Sequence, residues 1–398
     1  MVRHNELALI TVEEAIKIID LNSSLNHKTE QKKIALCEGF VLSEDITSPI
    51  NMPPFRQSAM DGYAINMHES NKYSLLGEVK AGDSKNPSLQ KGEAVRIFTG
   101  AAVPDNANCV VIQEKVVRNK EEIEVQDKPL LQENIRPLGE QSKIGEVALK
   151  KGTLLNPAAI GFLTTLGIIS AKVYKKPSIA VIATGNELVA AGQSLKHGQI
   201  YESNSLMLSV SLNKYGYSNN ETHKVPDNYN STLKLLKNTI ENKDIVIISG
   251  GISVGEYDYV GKALMELKTE ELFYKIKQKP GKPLYFGKNN NTFIFALPGN
   301  PAAALSCFYI YVLRHLKRMC GESSYEPKQI EATSNSNYLK KGDRAQFLKA
   351  YYKNGKVKIL EGQSSSMLHT FAIANALVYI SGDVKEIVKG DLINAILL

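Results

Sequence analysis

The chain has no tryptophan, only four cysteines in 398 residues, and no apolar run long enough to cross a membrane. Each absence excludes a class of protein. The longest mostly apolar stretch, Ala302 to Leu313, is broken by Ser306 and falls short of the roughly 18 residues a span requires, so it reads as a buried helix. Cys37, Cys109, Cys307 and Cys320 are scattered without a C-x-x-C pair. That spacing suits neither a disulfide framework nor a structural zinc site and leaves them as core residues. The histidines are equally dispersed, with no H-x-H or H-E-x-x-H pattern, so a divalent cation would have to be held by oxygen. The formal charge is only +7, from 48 basic and 41 acidic residues, and no basic face interleaved with aromatics marks a nucleic-acid binder. Glu6, Glu13 and Glu14 interrupt the region where a secretory signal would need unbroken apolar residues. The expected location is the cytoplasm, with neither membrane nor nucleic acid as a partner.

What is present is an ordinary globular composition, 43% hydrophobic and 22% charged. At roughly 150 residues per domain the length predicts two to four units. Thr11 with Glu14 makes a capping box, and Val12, Ala15, Ile16 and Ile19 give the following helix one apolar face. Three prolines in SPINMPPF stop regular structure. From Tyr73 to Val125, short β-branched segments separated by Gly, Pro and Asn turns predict a small antiparallel β unit. Residues 134–176 return to helix-like text, including PAAIGFLTTLGI, and complete the first helical piece around the inserted β unit. From Pro177 to about Arg318, apolar strands alternate with amphipathic helices. The last 70 or so residues, rich in Ile, Val and Tyr and broken by glycines, read as a small β barrel or sandwich.

Three strands of the middle region each run into a polar, glycine-bearing turn: SIAVIA into TGNEL, DIVIIS into GGISVGEYDY, and FIFA into LPGNP. Strand and helix in alternation imply a parallel sheet with right-handed crossovers, so the three turns emerge at one carboxyl edge, where ligands bind in such sheets. In LPGNPAAAL, Asn300 is placed to cap a helix beginning at Pro301, leaving N–H groups and the positive dipole end toward the crevice. The GGISVG turn admits close backbone approach without being a Walker sequence. Seven lysines against three glutamates between 262 and 288 are either a solvated face or, with Lys279 and Lys282 in KPGKP, a cradle for a small anion. Asp61, Glu187, Asp227, Glu256 and Asp258 are either turn acceptors or, if they converge, ligands for Mg²⁺.

The strings PPFRQSAMDGYAI (53–65), RIFTGAAVPDNANCVV (96–111), NIRPLGE, ATGNELV, GQIYESNS, SGGISVGEYDYV (249–260), KPGKPLYFGK and LPGNPAAAL, in that order, resemble the signatures of the MoeA family, the molybdopterin molybdenumtransferases, related to the C-terminal region of gephyrin. The resemblance implies a fold of α/β plus β in four parts. A helical and extended domain is made from 1–47 and 142–176, with a β lid inserted at 48–141. A MogA-like doubly wound α/β domain follows at 177–322 and a C-terminal β barrel at 323–398. It also implies a homodimer whose active site lies between the α/β domain of one protomer and the SAMDGYA-bearing part of the other. Other molybdenum cofactor biosynthesis proteins are possible partners.

The implied reaction inserts molybdate into adenylylated molybdopterin with release of AMP, assisted by Mg²⁺. Asp61, Glu187, Asp227 and Asp258 match the family's acidic positions and are expected to act catalytically and to hold the metal. Substrate binding is expected at Thr99, Gly250, Gly251, Ser253, Lys279, Lys282, Pro298, Gly299 and Asn300. Two positions depart from the family's common text: Asn186 stands in TGNEL where TGDEL is usual, and Gln141 in GEQ where GED is usual. Each removes a negative charge, which either weakens a metal site or merely exchanges one turn acceptor for another. The rival readings are a molybdopterin adenylyltransferase, built on the same α/β scaffold without lid or barrel, and a non-catalytic gephyrin-like scaffold.

Overall fold

The computed structural model describes residues 9–25, 28–252 and 259–398. Ser253, Glu256 and Asp258 therefore lie outside the described residues. The chain divides into two compact units, one of residues 31–38 and 42–173, the other of 39–41 and 174–398 with the described residues before 31. The expected capping box is formed on helix α1 (Val12–Asn22): Thr11 Oγ1 accepts from the Glu14 N–H at 3.1 Å and the Glu14 carboxylate accepts from the Thr11 N–H at 2.7 Å.

The first of these units is built on a six-stranded sheet of β1 (Gly62–Ile65), β2 (Lys72–Val79), β3 (Glu93–Ile97), β4 (Cys109–Ile112), β5 (Val116–Asn119) and β6 (Glu122–Val125), in the order β4-β1-β3-β2-β6-β5. Alternation along the strands covers both faces: Ala64, Val95, Ile97 and Val110 enter one core, Tyr63, Ile65, Ala94 and Val111 the other. The sheet is mixed, not wholly antiparallel, because β2 and β3 pair in parallel. Residues 80–92 make the long connection that a parallel pair needs and a hairpin does not. The helix-like reading of 134–176 holds only for α2 (Pro157–Thr165), which has Pro157 in its first turn and the Asn156 side chain accepting from the Ala159 N–H at 2.8 Å. Upstream, Pro137, Gly139 and Gly145 punctuate short strands and turns.

In the other unit the alternating text folds as expected. Strands β7 (Ile179–Thr184), β8 (Asn220–Val225), β9 (Ile245–Ser249), β10 (Glu270–Tyr274), β11 (Tyr285–Asn289) and β12 (Thr292–Leu297) form a sheet of order β8-β7-β9-β12-β11-β10. The strands β8, β7, β9 and β12 are mutually parallel, and β11 runs antiparallel to its neighbours. Helices α3 (Asn204–Lys214), α4 (Tyr229–Asn242), α5 (Tyr259–Glu266) and α6 (Pro301–Cys307) fill the connections. Two cores, one on each face of this sheet, share the fully buried strands β7, β9 and β12. The C-terminal strands β13 (Gln329–Ser334), β14 (Ala345–Lys353), β15 (Lys356–Ile359), β16 (Ala376–Ile380) and β17 (Leu392–Leu397) close into a five-stranded barrel, β14-β15-β13-β17-β16-β14. All four cysteines are free and buried.

One buried histidine has a measurable consequence. The rings of Phe286, Phe293 and Phe295 meet His315 edge to face at centroid separations of 5.4, 4.5 and 5.3 Å. Ser23 Oγ donates to the Ile19 carbonyl at 2.6 Å, so its contact with His315 Nδ1, also 2.6 Å, requires a donor N–H on Nδ1 and a bare Nε2. Burial without a counter-charge lowers the pKa of His315 from 6.5 to about 3. The unfolded chain therefore takes up a proton that the folded chain refuses. Stability from this group is complete above pH 6.5 and drains away as the pH falls toward 3. Urea unfolding between pH 6 and 4.5 is expected to show a loss of about 1.4 kcal/mol per pH unit from this residue, and His315→Leu to lack that component of the slope.

Candidate active site

The carboxyl ends of β7, β9 and β12 meet at one edge, as their parallel register requires, and the turns leaving them surround a cavity of about 940 Å³. Its lining includes Thr184, Glu187, Asp227, Gly250, Gly251, Lys282, Pro298, Gly299 and Asn300. Gly250 and Gly251 stand at φ +89° and +64°, and a Cβ on Gly251 would lie 2.6 Å from Thr184 Oγ1, so both backbone shape and proximity demand glycine there. Two buried polar atoms of the lining, Thr184 Oγ1 and Asn204 Oδ1, have no partner among the described residues. The amide of Asn204 is otherwise fixed, its Nδ2 donating to Ser249 Oγ at 2.8 Å and to the Gly299 carbonyl at 2.7 Å. Orphaned buried oxygens in a cavity of this size are the signature of a polar ligand.

Glu187 and Asp227 share this cavity. Asp227 is held by its backbone: its N–H donates to Asn186 Oδ1 at 3.0 Å. Asn186 thus serves as a turn acceptor that ties the β7 loop to the β8 loop. Glu202, also in the lining, spends its carboxylate on the start of α3, accepting from the Ser205 N–H at 2.8 Å and Oγ at 2.6 Å. Among the described residues no three His, Cys, Asp or Glu side chains cluster as a metal centre.

Asp61 and Thr99 belong to the other compact unit, in the turns after SAM and after β3. Asp61 Oδ1 accepts from the Thr99 N–H at 2.7 Å and from its hydroxyl at 2.8 Å. These bonds, the backbone one foremost, hold the exposed Asp61 carboxyl below its ordinary pKa. Both Thr99 donors are committed to this carboxylate.

A second cavity of about 540 Å³ adjoins the first and shares Lys282, Pro283, Pro298 and Asn300 with it. Its polar lining also includes Gln278, Lys279, Arg344, Gln363, Ser364 and Ser365. Gln278–Lys279 pairs in parallel with Ala345 and Gln346 of β14, so the barrel fixes the start of the KPGKP loop. No ion pair engages Lys279 or Lys282 among the described residues. The expected helix cap does not form. Asn300 sits at the N-cap position of α6 but its side chain caps nothing, donating instead to Ser365 Oγ at 3.0 Å. Nor are the N–H groups free: Pro301 has none, that of Ala302 donates to the Ser365 carbonyl, and those of Ala303 and Ala304 to the Asn300 carbonyl. Positive charge here comes from side chains, not from a helix end. Arg344, Ser364 and Ser365 escaped the sequence reading because nothing local marks them; they reach the site only through closure of the barrel.

No helix among the described residues is long and apolar enough to cross a membrane. Residues 10–167 match the family described as MoeA N-terminal region (domain I and II), 180–318 that described as "Probable molybdopterin binding domain", and 331–398 the MoeA C-terminal region (domain IV). The chain is 33% identical to the molybdopterin molybdenumtransferase of Haemophilus influenzae over 92% of each chain, and 32% identical to that of Staphylococcus aureus N315 over 98% of this chain and 95% of the other. A crystal structure of the molybdopterin biosynthesis MoeA protein from Pyrococcus horikoshii OT3 superposes with a TM-score of 0.84 at 29% identity, covering 98% of this chain and all of the other.

Proposed function

Because this chain belongs to the MoeA family and works in molybdenum cofactor biosynthesis as a molybdopterin molybdenumtransferase, we propose that its adjoining cavities divide one reaction: the larger takes adenylylated molybdopterin and the smaller molybdate. The observation that carries this reading is Lys282, which lines both cavities and so lets one cation face both anions. Molybdate is a tetraoxo dianion, and the lysines, the Arg344 guanidinium and the serine hydroxyls of the smaller cavity are donors suited to it. The larger cavity has the volume for a ligand of nucleotide size and, in Thr184 and Asn204, polar atoms that lack partners among the described residues.

Glu187 and Asp227 offer hard oxygen donors in the lining of the larger cavity, residue types that suit Mg²⁺, and Asp258 is proposed to join them. When bound, the ion supplies polarisation of the phosphoanhydride. The protein's own part is positional: Asn186 fixes the Asp227 backbone, Gly250 and Gly251 open the floor, and Lys282 neutralises charge where AMP departs. Water or a molybdate oxygen attacks the phosphoanhydride and the P–O bond to AMP breaks; molybdenum passes to the dithiolene of the substrate, two Mo–S bonds forming as one molybdate oxygen leaves as water with the two thiol protons. No protein thiol enters, consistent with four buried cysteines.

The test is to supply the protein with adenylylated molybdopterin, MgCl₂ and molybdate, and to follow AMP and molybdenum cofactor together. Both are expected to appear, and to need molybdate and Mg²⁺. AMP release indifferent to molybdate, or conversion of ATP and bare molybdopterin into the adenylylated compound, would overturn the assignment in favour of the adenylyltransferase.

A further inference from the structure

Beneath the lysine-bearing loop lies a buried polar pair. Gln278 and Tyr311 are both 0% exposed. The Tyr311 hydroxyl donates to Gln278 Oε1. Gln278 Nε2 in turn donates to the Gly281 carbonyl at 3.1 Å, with Cys307 Sγ at 3.7 Å. The loop lies flush on the helix at this point: Gly281 has φ +87°, and a Cβ there would sit 2.5 Å from Cys307 Sγ. Tyr311 occupies a π-helical turn, Phe308–Val312, that interrupts the helix running on from α6. Such widened turns reorient the side chains they carry and recur near functional sites.

Packing alone does not account for this arrangement. A phenylalanine would fill the space of Tyr311, and an aliphatic residue that of Gln278; the hydroxyl and the amide are needed only for one another and for the Gly281 carbonyl. Lys279 immediately follows Gln278, and Lys282 immediately follows Gly281. The two residues tied together by the Gln278 side chain are thus the two that precede the site's lysines. Both Gln278 and Gly281 line the smaller cavity.

We infer that Tyr311 and Gln278 are positioning residues: through the bond to Gly281 they set the separation and direction of Lys279 and Lys282 for the oxyanion. This rests on the smaller cavity being the molybdate site.

Tyr311→Phe removes one hydroxyl and little volume. It is expected to raise the Kd for molybdate, measured calorimetrically, and the KM for molybdate by about tenfold, the scale of one buried hydrogen bond. The KM for adenylylated molybdopterin is expected to rise by a smaller factor, since of the two lysines only Lys282 also lines the larger cavity. Gln278→Leu, which breaks both bonds, is expected to exceed it in the same direction; should Gln278→Leu not fold, Tyr311→Phe decides alone. A Tyr311→Phe protein with a lower Tm but wild-type molybdate Kd would make the pair merely structural and overturn the inference, as would a fall in kcat with KM unchanged. Wild-type protein without saturable molybdate binding would instead bring down the reading of the cavity, and the inference with it.

Discussion

Lys282→Ala is expected to lower kcat/KM for both substrates by about 10- to 100-fold, the range for loss of a charge-assisted contact, whereas Lys279→Ala reduces it for molybdate alone. The contrast follows from placement: Lys282 lines both cavities and Lys279 only the smaller. Neither change should disturb the loop. The Lys282 carbonyl is held by the N–H groups of Ile276 and Leu284 at 3.0 and 3.1 Å, bonds that alanine keeps, and Lys279 is paired to β14 through its backbone. Lys282→Arg retains the charge and is expected to recover part of the loss, though a planar fork does not reproduce a compact ammonium. Steady-state kinetics with each substrate varied in turn, at fixed ionic strength, resolve the two patterns. Identical profiles for the two alanine variants would mean that the cavities do not share a cation, and the division of substrates between them would fail.

The parts of this site that were legible in the sequence are those governed by local rules. Strand–turn–helix alternation places TGNEL, GGIS and LPGNP at one edge because parallel strands leave no other choice, and β7, β9 and β12 obey it. The capping box at Thr11 is a four-residue pattern with one geometric outcome. Asn300 shows where such reasoning stops. Asparagine before proline is a sound helix-cap signal, but its amide found Ser365, 65 positions away in sequence, before it found its own helix. The same barrel segment brings in Ser364, and Arg344 arrives with β14. None of these could be ranked above other serines and arginines without the fold. The parallel β2–β3 pair was hidden likewise, since short β-branched strands look the same in either sense and only the length of the 80–92 connection distinguishes them.

Asp61→Asn and Asp227→Asn, each inactive as a homodimer, are expected to regain about a quarter of wild-type activity when co-expressed, because random pairing gives half heterodimers with one intact site in each. The expectation follows from the homodimer that the resemblance to the MoeA family implies, in which we propose that Asp61 of one protomer serves the crevice of the other. Both substitutions are conservative in the folded state. In Asp61→Asn the side-chain amide oxygen would still accept from the Thr99 N–H and hydroxyl, which lie 2.7 and 2.8 Å from the carboxylate, and the bond from the Asp227 N–H to Asn186 is a backbone one that the second change leaves alone. What each variant loses is charge, at a carboxyl whose pKa the Thr99 hydrogen bonds lower in one case and in the cavity lining in the other. Molybdenum cofactor formation by the co-expressed mixture is the readout, with sedimentation confirming two chains per particle. If Asp61 instead served its own protomer, every site in the mixed dimer would carry one lesion, and activity no higher than that of either homodimer would sink the shared-site proposal.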